Sequence, residues 1–305
     1  MSRTVKSHAF GLVDAAQLAL VVIWGTNFAV VKSALSEMTP MAFNALRFGG
    51  ASILTMILAW IIERDVLMPR RDWGLVLLLG FIGNFVYQIL YIVGLARTQA
   101  SNASLLLATI PIFVALIATL TKSEKISGWN WSGILLSFVG IFLLVTGSDA
   151  GITMESQTLT GDLLVLSAAI VWALYTTLLK RLTQRNSVLK ATAWVMLSGT
   201  PLLVIVGLPD LLSQDWQTIS LQSWLGLVYS AALAIAIGSV IWNIGVQRIG
   251  SARTSVYSYL VPLVAVAVAW ISLGESMQPL QALGALGILL GVALGRYHPS
   301  NRGNG

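Results

Sequence analysis

The sequence predicts an all-α integral membrane protein of ten transmembrane helices, built as two inverted five-helix repeats. Three observations lead there: the chain is too apolar for water, its apolar runs recur at membrane-crossing length, and its second half repeats its first. Of 305 residues, 56% are hydrophobic and 10% charged, with a mean hydropathy of +0.82; soluble domains carry about 25% charged residues. About 20 apolar residues cross roughly 30 Å of hydrocarbon. Such runs lie near residues 13–35, 39–62, 73–96, 99–121, 128–147, 161–182, 187–208, 222–247, 250–272 and 277–296. The first follows a polar start with Arg3 and Lys6, exceeds the apolar part of a cleaved signal peptide and has no small-residue cleavage site behind it, so it reads as a retained span. The strict alternation that a transmembrane barrel requires is missing.

The net charge of +6 in a soluble protein would suggest nucleic acid, but here the placement of the basic residues carries the information. With a cytoplasmic N-terminus, fifteen Lys and Arg side chains fall on the cytoplasmic side, Lys32 and Arg97 near the other face, and Arg47 inside a span. The outer loops 148–160 and 209–221 contain Asp149, Glu155, Asp210 and Asp215 and no basic residue. Both termini are therefore expected in the cytoplasm, in a multi-pass protein of the cell membrane. No cysteine is present, and His8 and His298 lie in the terminal tails, which removes thiolate and intramembrane histidine chemistry. No metal or cofactor is expected.

Shifted by 151 residues, the chain matches itself: Trp73 falls on Trp224, Gly94 on Gly245, Pro111 on Pro262, Glu124 on Glu275, Gly133 on Gly284 and Gly140 on Gly291. Nearer the start of each half the shift is 148, pairing Asp14 with Asp162, Trp24 with Trp172 and Lys32 with Lys180. The expected units are residues 1–148 and 161–296, followed by a cytoplasmic tail, 297–305. Five spans per half is an odd number, so the second copy must enter the membrane from the opposite side. Inverted repeats of this kind are a recurring carrier architecture, with the substrate near the midplane between them.

WGTNF at 24–28, LRFGGA in the second span, and the twin segments ASNASLLLATIPIFVALIATLTKSEKI and GSARTSVYSYLVPLVAVAVAWISLGES together resemble the EamA family of the drug/metabolite transporter superfamily, over essentially the whole chain. The resemblance implies ten helices in two inverted halves and export of amino acids or other small metabolites.

Polar groups in hydrocarbon are costly unless they face a wet cavity or a protein interior, so their helical phase indicates the pathway. In the third span Asn84, Tyr87, Gln88 and Tyr91 share one face. Trp24 and Asn27 share a face in the first span, and Trp172 and Tyr175, with Thr176, occupy the equivalent place in the sixth. Asn102 of the fourth span, Trp242 and Asn243 of the eighth and Ser258 of the ninth complete the candidate substrate site. An interhelical hydrogen-bond seam and simple packing are the competing readings of these residues.

Arg47 is the one full charge well inside a span, where it costs about 2.5–3.5 kcal/mol on insertion scales unless it snorkels or meets an anion. It is a candidate holder of a substrate carboxylate; hydrogen bonding to helix-end carbonyls is the structural alternative. Pro111 and Pro262 each free a carbonyl, of Leu107 and of Ser258, and are expected to bend their helices beside the cavity as paired hinge points. Asp14 and Asp162 open helices, while Glu124 and Glu275 sit beyond helix ends, so no carboxylate stands out as a proton carrier and uncoupled transport or exchange is the default.

These features predict a secondary transporter, not an enzyme, that moves small organic solutes by alternating access; the family resemblance implies amino acids or related amphipathic metabolites as cargo and export as the direction. A phosphorylated-sugar or nucleotide-sugar exchanger would want two or more convergent basic groups. A lipid enzyme would want clustered acids, histidines or serines, and a channel a ring of like charges. The expected partners are a small-molecule substrate and the lipid bilayer, without nucleic acid, and one chain suffices for transport.

Overall fold

The computed structural model describes residues 11–98, 100–124, 126–146, 159–264, 267 and 278–296, and every regular element among them is helical. Helix α1 (Leu12–Ala34) begins after Gly11, whose amide donates to Asp14 Oδ2 at 2.8 Å. A carboxylate in the first turn suits both the free amides there and the helix dipole. Helix α2 (Pro40–Glu63) starts on a proline, which lacks the N–H that would have no partner at that position. A 3₁₀ turn then leads through α3 (Trp73–Leu79), a π-helical segment (Gly80–Val86) and α4 (Tyr87–Arg97), one crossing of 28 residues from Arg70 to Arg97. α5 (Ala100–Leu107), α6 (Ile110–Leu120) and α7 (Gly128–Thr146) follow.

The remaining elements are α8 (Leu159–Thr183), α9 (Val188–Ser213), α10 (Leu221–Tyr229), a second π-helical segment (Ser230–Ile237), α11 (Gly238–Ile249) and α12 (Ser251–Val256). A 3₁₀ turn (Tyr257–Leu260) and α13 (Pro279–Arg296) complete them. Among the described residues six helices are long and apolar enough to cross a membrane: Leu12–Ala34, Pro40–Glu63, Arg70–Arg97, Leu159–Thr183, Val188–Ser213 and Leu221–Ile249. The apolar helices Leu105–Leu120, Gly128–Leu144 and Pro279–Leu294 are shorter.

Where continuous bent spans were expected, the helices are broken. The fourth run stops at Leu107 and restarts at Ile110, so Pro111 is the second residue of α6. Pro262 is likewise the second residue of the helical stretch that resumes at Val261 after the 3₁₀ turn. A proline in a first turn removes no helical hydrogen bond, so the break accommodates what an unbroken helix would have to tolerate as a kink. Glu275 and the end of the ninth run lie outside the described residues.

The two π-helical segments carry no sign in the apolar pattern. Under the 151-residue shift they coincide to within one residue. The first is fitted closely to α9: a Cβ on Gly80 would lie 2.7 Å from the Val195 carbonyl oxygen, and one on Gly199 would lie 2.9 Å from Asn84 Cβ.

Helix α2 lies along α9, α4 along α8, and α1 along α10 and α11, so each of these pairs joins the first half of the chain to the second. α7 and α13 run along each other through glycines: a Cβ on Gly140 would sit 2.6 Å from the Ile288 amide nitrogen, and one on Gly291 would sit 2.6 Å from the Gly133 carbonyl oxygen. The buried core follows the same division, combining Leu20 and Leu79 with Tyr175 and Trp242, and Val31, Phe43 and Ile92 with Val165 and Leu227. Ile53, Ile57, Trp60 and Ile61 of α2 are exposed instead. That arrangement is costly in water and natural against lipid.

Candidate functional site

Six aromatic side chains singled out from the sequence meet in one cluster between the halves. Trp24 of α1 lies 6.3 Å from Trp172 of α8 and 5.2 Å from Trp242 of α11, centroid to centroid, and Trp172 lies 5.9 Å from Trp242. Tyr87 approaches Trp172 at 4.6 Å and Tyr175 approaches it at 5.0 Å, while Tyr91 stacks on Tyr87 at 5.8 Å and an interplanar angle of 12°. These separations fall in the range where aromatic pairs attract. The Trp24 indole N–H donates to the Ala234 carbonyl at 2.9 Å, inside the second π-helical segment.

Beside the cluster, α4 links it to a charge. Arg47 of α2 is 2% exposed, with its guanidinium carbon 5.4 Å from the Phe43 ring centroid and 5.5 Å from that of Phe48. Its Nε and Nη2 donate to Asn44 Oδ1 at 3.2 and 2.8 Å, Nη2 donates to Gln88 Oε1 at 3.1 Å, and Nη1 donates to the Ser230 hydroxyl at 3.3 Å. All of these acceptors are neutral, and Arg47 makes no ion pair among the described residues. The helix-end carbonyls expected as its structural alternative are not its partners; side chains are. A desolvated guanidinium held only by dipoles retains attraction for an anion.

The profile of the EamA-like transporter family matches residues 12–146 and 159–296. The chain belongs to that family. A Streptantibioticus cattleyicolor protein named as a probable terminal-alkyne amino-acid exporter is 32% identical over 271 residues, covering 88% of each chain. A Salmonella typhimurium protein named as a probable amino-acid metabolite efflux pump is 29% identical over 287 residues, 90% of this chain and 91% of its own. A known crystal structure, 19% identical, superposes with a TM-score of 0.77 over 92% of this chain and 95% of that one, which shows a shared fold. The protein is thus a multi-pass membrane transporter.

The other candidate residues of this EamA-like transporter border the two groups. Asn243 turns to α9 and donates to the Thr192 hydroxyl at 2.7 Å, and the Ser258 hydroxyl donates to the Ser255 carbonyl at 2.6 Å. Asn84 sits in the first π-helical segment, one turn from Gln88. The side chain of Asn102 lies outside what is described. Asn27 Oδ1, Asn84 Nδ2, Thr176 Oγ1, Trp242 Nε1 and Asn243 Oδ1 are buried without a protein partner. Leaving such atoms unpaired costs about 1–3 kcal/mol each, a cost that a solute with hydrogen-bonding groups would relieve.

Sequence reasoning missed Asn44 and Ser230, which hold Arg47, and Gln17, which donates to the Ile241 carbonyl at 2.7 Å. Asn44 had a signal, its i−3 spacing from Arg47, and Gln17 had one too, an amide inside an apolar span on the face of Trp24; the partners of both, Ser230 among them, had none, because helical phase does not say which helices face each other. Asp14, read as a helix opener, also accepts a hydrogen bond from the Tyr257 hydroxyl of the other half. Gln17, Leu20, Val21, Trp24, Trp242, Tyr257, Ser258 and Val261 line a narrow cleft beside the indoles.

Proposed function

We propose that this transporter exports small amphipathic organic solutes, amino acids or related metabolites, across the cell membrane. It does so by alternating access between two inverted five-helix halves, with both termini cytoplasmic and one chain sufficient. The observation that carries the reading is the juxtaposition of a buried arginine lacking an acidic partner with an aromatic cluster contributed by both halves. A solute with a carboxylate and an apolar body matches both: the carboxylate on Arg47, the body against Trp24, Trp172 and Trp242. Gln88, which sits on α4 between the two groups, Asn84 and Asn243 offer polar contacts, and the breaks before Pro111 and Pro262 supply paired hinges. The names of the amino-acid exporting relatives support the substrate class.

The phosphorylated-sugar alternative loses ground, because the partners of Arg47 are neutral and no second base joins it in that hydrogen-bonded group. Uncoupled transport or exchange remains the simplest mechanism. The test is solute counterflow in proteoliposomes with a panel of amino acids, sugar phosphates and hydrophobic amines. Counterflow of amino acids with apolar side chains is expected; uptake of none of the panel by folded protein would overturn the reading. Accumulation driven by a pH gradient alone would overturn the uncoupled mechanism.

A further inference from the structure

All four ion pairs among the described residues lie at one end of the bundle, the end where α2 and α8 finish and α3 and α9 begin. Three of them join a buried or half-buried group to a side chain that is 60–74% exposed, as in Arg185 with Asp72 and Lys190 with Asp65. Pairs of that kind contribute little. The fourth is different. Lys180 Nζ is 2.7 Å from Glu124 Oε1, with side chains 23% and 12% exposed.

The Glu124 carboxylate joins more than the lysine. Oε1 also accepts from the Ser251 amide at 2.8 Å and from its hydroxyl at 2.9 Å, and Oε2 accepts from the Ala252 amide at 3.2 Å. Glu124 follows α6 in the first half of the chain, and every donor belongs to the second. The carboxylate thereby caps α12, whose first amides have no partner within the helix. Gly250 makes this possible twice over: its φ of +92° suits glycine, and a Cβ there would stand 3.1 Å from both carboxylate oxygens.

Below this capped junction Val114 of α6, Ala169 and Ala173 of α8 and Ala252 of α12 form one buried apolar cluster, and Trp172 of the substrate site packs against it. The carboxylate therefore ties together α6, α8 and α12, the three elements that build this cluster beside Trp172. In the sequence repeat the same two charges recur as Lys32 and Glu275. Lys32 is exposed and makes no ion pair among the described residues.

We propose that Glu124, bound to Lys180 and to the start of α12, is the latch of the gate at this end. While it is made, α6 is held against α8 and α12, and their shared apolar cluster plugs the route to the indole of Trp172 from this end. Release of the carboxylate lets α6 move away and opens the route to Trp172 from this side. Glu124 lies beyond the end of α6 and Lys180 in the last turn of α8, where released charges regain water, so the opening cost stays within reach of a transport cycle. The proposal rests on the alternating-access reading above, but its test needs no substrate.

The chain has no cysteine, so Ala173→Cys places a unique thiol in the plug, where the native side chain is 0% exposed. Its rate of modification by a membrane-impermeant maleimide is measured in proteoliposomes. Glu124→Gln and Lys180→Met are each expected to raise that rate about tenfold, the factor that corresponds to 1.4 kcal/mol. Lys180→Met leaves the Glu124 cap on Ser251 in place and so keeps α12 anchored. Lys190→Met, which breaks an exposed pair at the same end, is expected to leave the rate unchanged. An unchanged rate in Lys180→Met, or an equal rise in Lys190→Met, would overturn the latch. Loss of counterflow with these labelling results intact would count against the substrate reading alone.

Discussion

The indoles of Trp24 and Trp172, which the internal repeat pairs in sequence, meet edge to face at 6.3 Å with their planes 72° apart. Two residues exchanged by a twofold axis can touch only on that axis. Under the proposed inverted repeat, this contact therefore lies on the axis that relates the halves, at the depth where both access routes converge. Trp172 is expected to stack on the apolar part of the solute. Trp172→Ala should raise the half-saturating concentration for aromatic or branched amino acids about tenfold and Trp172→Phe considerably less, since an aromatic contact contributes about 0.5–1.5 kcal/mol. Counterflow kinetics decide it, and an unchanged value in Trp172→Ala would move the site elsewhere.

Arg47 donates to three side chains in a fixed fork, a geometry that a lysine ammonium does not reproduce. Arg47→Lys and Arg47→Ala should therefore both lower transport of carboxylate-bearing solutes by at least about tenfold. Transport of the matching amine without a carboxylate should fall far less. Wild-type rates for the carboxylate in either folded variant would exclude a substrate role and leave Arg47 as a packing element.

Glu124 also sets a pH dependence. Burial works against its charged form, but the hydrogen bonds and charge of Lys180 and the amide and hydroxyl of Ser251 outweigh it, so the carboxyl is held below its ordinary value of 4.5. A depressed carboxyl stabilises the folded form above the unfolded value, and that contribution disappears as pH falls through the folded one. Thermal unfolding followed from pH 7 to pH 3 should show a loss of stability below about pH 4.5 that is smaller in Glu124→Gln. Identical profiles for the two proteins would contradict the assignment.

The α7–α13 contact depends on the missing side chains of its glycines. Gly140→Val puts a Cβ 2.6 Å from the Ile288 amide nitrogen, where only backbone movement can relieve the clash. Overpacking of this kind costs about 1–3 kcal/mol, so a melting temperature several degrees lower is expected. Gly74→Ala, with open space around the new methyl, should be neutral or slightly stabilising.

Much of the candidate site was legible because polarity within an apolar helix is a local signal. Tyr87, Gln88 and Tyr91 share a face in α4, and that face does reach Trp172 and Arg47. Asn84, assigned to the same face by a 3.6-residue period, sits in π-helical geometry, where that period does not hold. Pro111 announced a disturbance but not its form; whether a helix bends or stops depends on what its neighbours supply to the freed groups.

The sequence by itself determined the membrane environment, the positions of the apolar runs and the self-match between its halves, because hydropathy and repetition are properties of residues along one chain. The tertiary structure alone decided that Trp24, Trp172 and Trp242 touch, that Asn44, Gln88 and Ser230 hold Arg47, and that Glu124 caps a helix in the other half. Those facts depend on which helix faces meet across more than two hundred residues of sequence, as between Trp24 and Trp242, and on π-helical turns that shift the phase of the faces. No periodicity within a single span records either one.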